Sequence, residues 1–262
     1  MRIRKMTFVF CLLAVLPMLM PAPAAALPLI DMEAAVGGWG ASASGGVKYD
    51  GVTEGTNLDL EDDFNYDDET ALTGRLKIDM PLVIPNLYLM ATPLDYEEKA
   101  TRSQTFRFGE EQYDANVEYN SRLTLDTYDI GLFYNVPLLE TVTLGRLGME
   151  AGLNARIIDA EALVEQKATG YYEKKSETLP LPMLYVGLGL YPVDRFGLEA
   201  EARGISYSDY ELVSLIGRLK VNVFGPLFVS GGYRYDAYDI EEDDLVLDVD
   251  FSGPFLETGL KF

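Results

Sequence analysis

The chain has 262 residues and a formal charge of −21, from 42 acidic and 21 basic side chains, with no histidine and one cysteine. So acidic a balance excludes nucleic-acid binding, which needs clustered Lys and Arg. The lack of histidine excludes Ser-His and Asp-His catalytic arrangements, and a lone cysteine excludes an intrachain disulfide.

The N-terminus reads as an export signal. Arg2, Arg4 and Lys5 form a basic head, Met6 to Met20 is an apolar run broken only by Thr7 and Pro17, and Ala24-Ala25-Ala26 supplies an A-x-A cleavage site. This order is that of a cleaved signal peptide over 1–26. The apolar run is shorter than the roughly 20 residues that a spanning helix needs. Cys11 lies inside it. Cleavage removes three basic residues and no acidic one, so the mature domain, 27–262, is more acidic still and has neither cysteine nor histidine. No later apolar run is long enough to cross a bilayer as a helix, so a membrane form must be a barrel.

Strand-like segments with a two-residue period follow from end to end. They are read at 32–44, 69–80, 86–98, 122–136, 144–166, 178–191, 196–208, 211–224, 227–239 and 250–262. The connections after the second, fourth, sixth and eighth are short and mostly Pro-containing. Those at 45–68, 99–121 and 239–249 are long and polar, that at 167–177 is intermediate, and that near 209 is short. Short turns at one rim and longer loops at the other are the asymmetry of an outer-membrane barrel. An even strand count returns both termini to the short-turn rim. The fold expected is all-β: a closed antiparallel up-and-down transmembrane β-barrel of ten strands, or eight if two segments belong to loops.

Many of these strands are two-sided. Val213, Leu215, Gly217, Leu219 and Val221 oppose Ser214, Arg218, Lys220 and Asn222. Leu147, Met149, Ala151 and Leu153 oppose Glu150 and Asn154. In the fourth segment the parity flips near Asp126, which reads as a bulge or as the end of the embedded part. Alternation alone does not decide which face is wet. Aromatics beside the short turns (Tyr134, Tyr191, Phe196, Phe224, Phe228, Phe262) read as an interfacial girdle. The charged face carries both signs at matching heights, and the last strand ends on Phe262 in the manner of an outer-membrane assembly signal. These features place the apolar face in lipid and the charged face inside. Trp39, the single Trp, is expected to face lipid or the interface. The strand glycines (Gly37, Gly38, Gly40, Gly187, Gly189, Gly231, Gly232) are read as relief of curvature in a small barrel.

Three stretches carry a family resemblance: L-P-L-I-D-M-E-A-A-V-G-G-W (27–39), N-L-D-L-E-D-D-F-N-Y-D-D-E-T (57–70) and P-L-V-I-P-N-L-Y-L-M-A-T (81–92). With them the mature chain resembles a family of Gram-negative outer-membrane β-barrel proteins. The resemblance implies fold and outer-membrane location. It implies no activity and carries over no catalytic residue.

Two groups of residues could carry chemistry. The acidic run holds Asp59, Glu61, Asp62, Asp63, Asp67, Asp68 and Glu69, with Glu241 to Asp244 forming a second cluster. Oxygen-rich sets of this kind suit Ca²⁺ or Mg²⁺, the latter cations also bridging acidic loops to phosphorylated lipid. The spacing is not that of an EF-hand, and solvated loops are the plainer reading. The expected barrel interior holds Arg75, Lys77, Asp79, Glu150, Arg156, Glu199, Glu201, Arg203, Arg218, Lys220, Arg234, Asp236, Glu257 and Lys261. These either line a narrow pore or fill the lumen as paired charges, which suits a barrel barely wider than its own side chains.

Several barrel enzymes of the outer membrane use histidine, and here no carboxylate pair stands out by spacing, so no enzyme is expected. The function read from sequence is that of an integral outer-membrane barrel with a structural or loop-mediated interaction role. A narrow pore for ions or small solutes is the alternative, and a soluble periplasmic lipid-binding barrel the further one. The expected partners are outer-membrane lipid and, through the C-terminal strand, the barrel assembly machinery, with the protein a monomer.

Overall fold

The computed structural model describes residues 30–81, 83–137, 142–242 and 244–262. The expected signal peptide lies outside the described residues. Fourteen strands follow one another among them: β1 (Asp31–Tyr49), β2 (Leu58–Asp59), β3 (Glu69–Asp79), β4 (Asn86–Thr92), β5 (Asp95–Ala100), β6 (Phe106–Phe108), β7 (Glu111–Tyr113), β8 (Tyr119–Asn135), β9 (Leu147–Gln166), β10 (Tyr171–Val193), β11 (Phe196–Tyr207), β12 (Tyr210–Phe224), β13 (Leu227–Glu242) and β14 (Leu245–Lys261). β4 and β5 are two pieces of one wall strand, both paired with β8. β2, β6 and β7 belong to the loops. The wall therefore has ten strands, each antiparallel to the next, and β14 pairs with β1 to close it. At the seam the Phe262 N–H donates to the Met32 carbonyl at 2.8 Å, and the Met32 N–H to the Phe262 carbonyl at 3.0 Å. The terminal residue is thus stitched to the first strand, and this seam leaves no edge open.

The strands run further than the sequence pattern indicates. The segment 239–249, expected to be a long loop, is a tight hairpin in which Glu242 pairs with Leu245. Most of 167–177 is also strand, since Tyr171 already pairs with Gln166. The first alternates with polar residues outward and apolar ones inward, and the second carries charged residues on both faces, so neither looks like the strands below it. The long loops that remain lie between β1 and β3 and between β5 and β8.

The same change of sense explains the fourth segment. β8 and β9 pair without interruption from Asn120↔Glu165 to Asn135↔Glu150. Tyr119, Ser121, Leu123, Leu125, Thr127, Asp129 and Phe133 are all buried and all odd. The parity of β8 never flips, so the expected bulge is not on this strand. Its neighbour is interrupted as a strand between Thr92 and Asp95 but keeps its register, since Leu94 and Leu125 exchange backbone hydrogen bonds at 3.2 and 2.9 Å. What changes near Asp126 is the surroundings. Towards the short turns Ile130, Leu132 and Tyr134 point outward and are exposed, while Asp129 is inside. Towards the loops Asn120 and Arg122 point outward and Leu123 and Leu125 are inside. The first pattern is that of a wall in lipid and the second that of a wall in water.

The outer face of the short-turn half is a continuous apolar band that includes Leu72, Leu132, Leu153, Leu184, Leu188, Leu198, Leu215, Leu219 and Leu256, all exposed. A band of this extent marks a lipid-facing surface. Tyr134, Phe196, Phe224 and Phe262 are exposed at its short-turn edge. Two expected girdle residues face inward instead, Phe228 in the lumen and Tyr191 at the open vestibule. Phe228 is fully buried, with the Lys220 ammonium 4.5 Å from its ring centroid. Tyr191 lies over Gly189 and Gly197, where a Cβ would meet its ring at 2.7 and 2.8 Å, and its hydroxyl donates to Glu199 at 3.0 Å.

Trp39 is likewise not at the lipid face. It is inside the lumen and fully buried, its Nε1–H donating to the Gly253 carbonyl at 3.2 Å and the Arg234 guanidinium 4.3 Å from its ring centroid. Its parity with Glu33 and Ala35 on β1 fixes that direction. Trp39→Ala is expected to cost about 3–5 kcal/mol, the range for emptying a packed aromatic site. Reversible urea unfolding from lipid vesicles reads this, and an unaltered stability would return the side chain to the lipid face.

Candidate functional site

The interior of the described barrel is stacked in layers. At the short-turn end a vestibule of about 540 Å³ opens between Asp31, Asp79, Tyr191, Asp194, Asn222 and Lys261. Asp31 and Asp79 face each other in register there. Above it the lumen closes on a ring of alternating charge. Glu33 contacts Arg75 at 2.8 Å, Arg75 contacts Glu257 at 2.7 Å, and Glu257 lies 4.0 Å from Arg218. Arg218 and Lys220 each reach Glu199 at 3.4 Å, and Lys220 returns to Glu33. The ring joins β1, β3, β14, β12 and β11. It ties together side chains as far apart in the chain as Glu33 and Lys220.

Further pairs flank it. Glu201 contacts Arg218 and Arg203, each at 2.8 Å. Arg203 is sandwiched between the rings of Tyr88 and Tyr185, 4.6 and 5.1 Å from their centroids. Lys77 pairs with Glu150, whose other oxygen accepts the Tyr185 hydroxyl at 2.8 Å. The next layer is a second network. Asp129 accepts from Arg156 Nε and Nη2 at 2.8 and 2.9 Å and from Asn154 at 2.6 Å. Arg156 also donates to the Tyr238 hydroxyl at 3.2 Å and lies 3.9 Å from Asp236, which in turn holds Arg234 at 2.5 Å.

In the two networks and their flanking pairs seven bases meet seven acids. The bases are Arg75, Lys77, Arg156, Arg203, Arg218, Lys220 and Arg234. The acids are Glu33, Asp129, Glu150, Glu199, Glu201, Asp236 and Glu257. Buried charges persist only in such company. Asp79, expected among them, sits lower, at the half-buried mouth, and Lys261 is exposed there. Glu33 and Asp129 escaped the sequence reading. Glu33 shares its parity with Trp39, whose expected direction was wrong, and Asp129 lies in the stretch where the pattern seemed to flip.

Above the charges the lumen is apolar, and the loops close it. Ring contacts run unbroken from cap to charge: Phe106 to Tyr119 at 4.8 Å, Tyr119 to Phe64 at 6.4 Å, Phe64 to Tyr66 at 5.5 Å, Tyr66 to Tyr96 at 5.5 Å, Tyr96 to Phe251 at 5.7 Å and Phe251 to Tyr238 at 6.0 Å. Each such contact contributes about 0.5–1.5 kcal/mol beyond area burial. The β6–β7 hairpin lies over the mouth with Phe106, Phe108 and Tyr113 buried, and the Tyr113 hydroxyl donates to the Val164 carbonyl at 2.8 Å.

The acidic side chains of the run are engaged separately along their loop. Asp59 Oδ1 accepts the Glu61 and Asp62 N–H groups, both at 2.9 Å, and Asp63 pairs with Arg102 at 2.8 Å. Asp68 accepts the Ser42 hydroxyl, and Glu61, Asp62 and Asp67 point to solvent. Among the described residues no three carboxylates converge on a metal position.

Two outcomes are expected. Arg156→Met leaves Asp129 without its guanidinium and is expected to cost about 3–5 kcal/mol. Adding Asp129→Asn should restore part of that loss in the same unfolding assay, and full additivity of the two would contradict the pairing. In the cap, burial pushes the Tyr66 and Tyr113 phenols upward. A group that holds its proton more tightly when folded stabilises fully below its unfolded pKa, about 10 for Tyr, and loses that contribution as pH rises through the folded value. Cap closure should therefore be flat to about pH 10 and weaken above it. Protease access to 101–118 across an alkaline series checks this, and early release at neutral pH would contradict it.

No protein-family model and no curated protein sequence matches the chain. Among solved structures it is similar to the outer membrane protease OmpT from Escherichia coli, at 10% identity over 88% of this chain and 96% of that one, with a TM-score of 0.50. It is also similar to Ail, the attachment invasion locus protein of Yersinia pestis (11% identity, 89% and 99% covered, TM-score 0.38), and to the Pseudomonas putida toluene transporter TodX (9% identity, 90% of each chain, TM-score 0.32). The fold of this chain is that of the Gram-negative outer-membrane β-barrels.

Proposed function

We propose that this chain is a closed, non-conducting outer-membrane barrel whose working part is its extracellular platform. The observation that carries the reading is the sealed lumen. A ring of paired charges, a second ionic network, an aromatic column and a loop cap lie in series across it. The narrow-pore alternative needs a continuous polar path, and the apolar layer around Trp39, Tyr96 and Phe251 interrupts one. A soluble barrel is disfavoured by the exposed apolar band.

The proteolysis named for OmpT is not carried over to this chain, because it has no histidine and the acids of its two networks are held by Arg or Lys. The proposal includes delivery by the signal peptide at 1–26, assembly through the β14 strand and Phe262, and a monomeric state. The platform is acidic, which favours partners with a basic surface.

Planar-bilayer recording of the refolded mature protein is expected to give no steady open level. Deleting 104–114, which carries the β6–β7 hairpin, should leave it closed, because the ionic layers remain. A stable open level in the intact protein would move the assignment to the narrow pore.

A further inference from the structure

Above the lipid band the wall is not laddered all the way round. β3 pairs with β4 only from Ile78↔Leu87 to Gly74↔Ala91, and from Thr73 to Glu69 it pairs with β1 alone. The facing strand continues as β5, which among the described residues pairs with β8 and with no other strand. One edge of β5 is therefore free. The lumen behind it stays shut, because Tyr96 is buried there, its hydroxyl donating to the Ala41 carbonyl at 2.8 Å and its ring centroid 5.5 Å from that of Tyr66.

The ladder fixes which backbone groups lie on that edge. Leu94 and Leu125 exchange both of their N–H···O bonds. In an antiparallel pair such exchanges recur at every second residue, and the residues between direct their N–H and C=O to the other side. In the register of β5 with β8, Tyr96 and Glu98 bond β8, so Asp95, Glu97 and Lys99 present their N–H and C=O groups to the free edge. Pro93, which has no N–H, stands at the foot of this row, and an edge strand tolerates proline there. Asp95, Glu97, Glu98 and Lys99 are exposed. The complement of such a row is an extended backbone.

Charge narrows the partner. Asp95, Glu97 and Glu98 lie on β5, and Asp67, Asp68 and Glu69 lead into β3 on the other side of the gap, all exposed. The neighbouring bases are already held, Arg122 by Asp95 and, at 4.0 Å, by Glu97, and Lys99 by Glu118 at 2.9 Å. A second copy of the β5 edge would set these acids against their own kind, which weakens a sheet. A strand with Lys or Arg at alternate positions instead sets a base opposite Asp95 and Glu97.

We infer that β5 is a docking edge: an extended segment of a partner protein, with Lys or Arg at every second position, adds to it as a further strand beside Asp95, Glu97 and Lys99. The inference rests on the platform being the working part of the barrel, and it gives the partner a backbone conformation as well as a charge.

The test uses the mature protein refolded in dodecyl maltoside and the fluorescein-labelled peptide Lys-Val-Lys-Thr-Lys-Val-Lys, read by fluorescence anisotropy. Val and Thr keep the peptide extended. Saturable binding is expected, and none is expected for the same peptide with Glu in place of Lys. Methylating the backbone nitrogens of the lysines removes the N–H groups that face β5 and should weaken binding at least about tenfold. Methylating those of Val and Thr should not. Glu97→Pro removes one N–H from the edge and should also weaken binding about tenfold, while Glu211→Gln with Asp239→Asn, elsewhere on the platform, should leave it unchanged. Heat-modifiable gel migration verifies that each variant is folded, and the methylated peptides test the edge without any variant. A stable open level in the bilayer recording counts against the closed barrel alone, so the two readings fail separately. Absence of binding, or binding that survives methylation of the lysine nitrogens, would overturn the inference.

Discussion

The structure depends on one constraint: charges shut inside a lipid-facing wall must neutralise one another across the lumen. An isolated buried ion is far too costly to keep, and a paired one is tolerable only with good geometry. In a closed barrel the partner cannot come from solvent, so it comes from another strand. Glu33 on β1, Arg75 on β3, Glu257 on β14, Arg218 and Lys220 on β12 and Glu199 on β11 solve the problem together. The same contacts act as cross-braces. They fix which face of each strand points inward, because a one-residue slip would turn a lysine or glutamate into hydrocarbon.

The wall then changes its chemistry where the lipid ends. Towards the short turns it is apolar outside and ionic inside. Towards the loops it is polar outside and apolar inside, with Leu123, Leu125, Ile158, Val164 and Leu247 buried. The loop half is built like the barrel of a water-soluble protein, stacked on the membrane-embedded half. This division explains why Tyr238 matters. Its ring joins the aromatic column through Phe251, while its hydroxyl receives Arg156. It is the splice between the two kinds of core.

The closed ten-stranded barrel was legible in the sequence because two-residue alternation survives in either half. The charged interior was legible because Arg218, Lys220, Glu199 and Glu201 oppose leucines and alanines on the same strands. What could not be read was the sense of the alternation at a given height. The segment 245–249, L-V-L-D-V, has the period of a strand, but its one acid, Asp248, looks outward, so it reads as loop. Asp129 fell in the zone of reversal. Trp39, Tyr191 and Phe228 were assigned by residue type to an interface, although parity with Glu33, Gly189 and Ser230 places them inside. Local period is encoded by neighbours along the chain. Sense is encoded by partners such as Arg234 for Trp39, which lies far away in sequence.

A lumen filled in this way moves the scope for function to the outside of the wall. Every charged side chain of the two networks is committed to a partner, so few can change without leaving an orphan. The outer positions carry no such obligation. Above the lipid band Glu211, Asp239 and Asp248 lie side by side across β12, β13 and β14, all exposed. Like charges directly opposed weaken a sheet by a few tenths of a kcal/mol to about 1 kcal/mol. Here they are tolerated because water and salt screen them and because the strands are held by the core behind. Below that level, the lipid-facing wall accepts glycine at 217 without loss of closure, since the strength of the wall lies in its hydrogen bonds and its ionic interior. The interior gives the barrel its shape, and its rigidity frees the outer face to be contoured by whatever it meets.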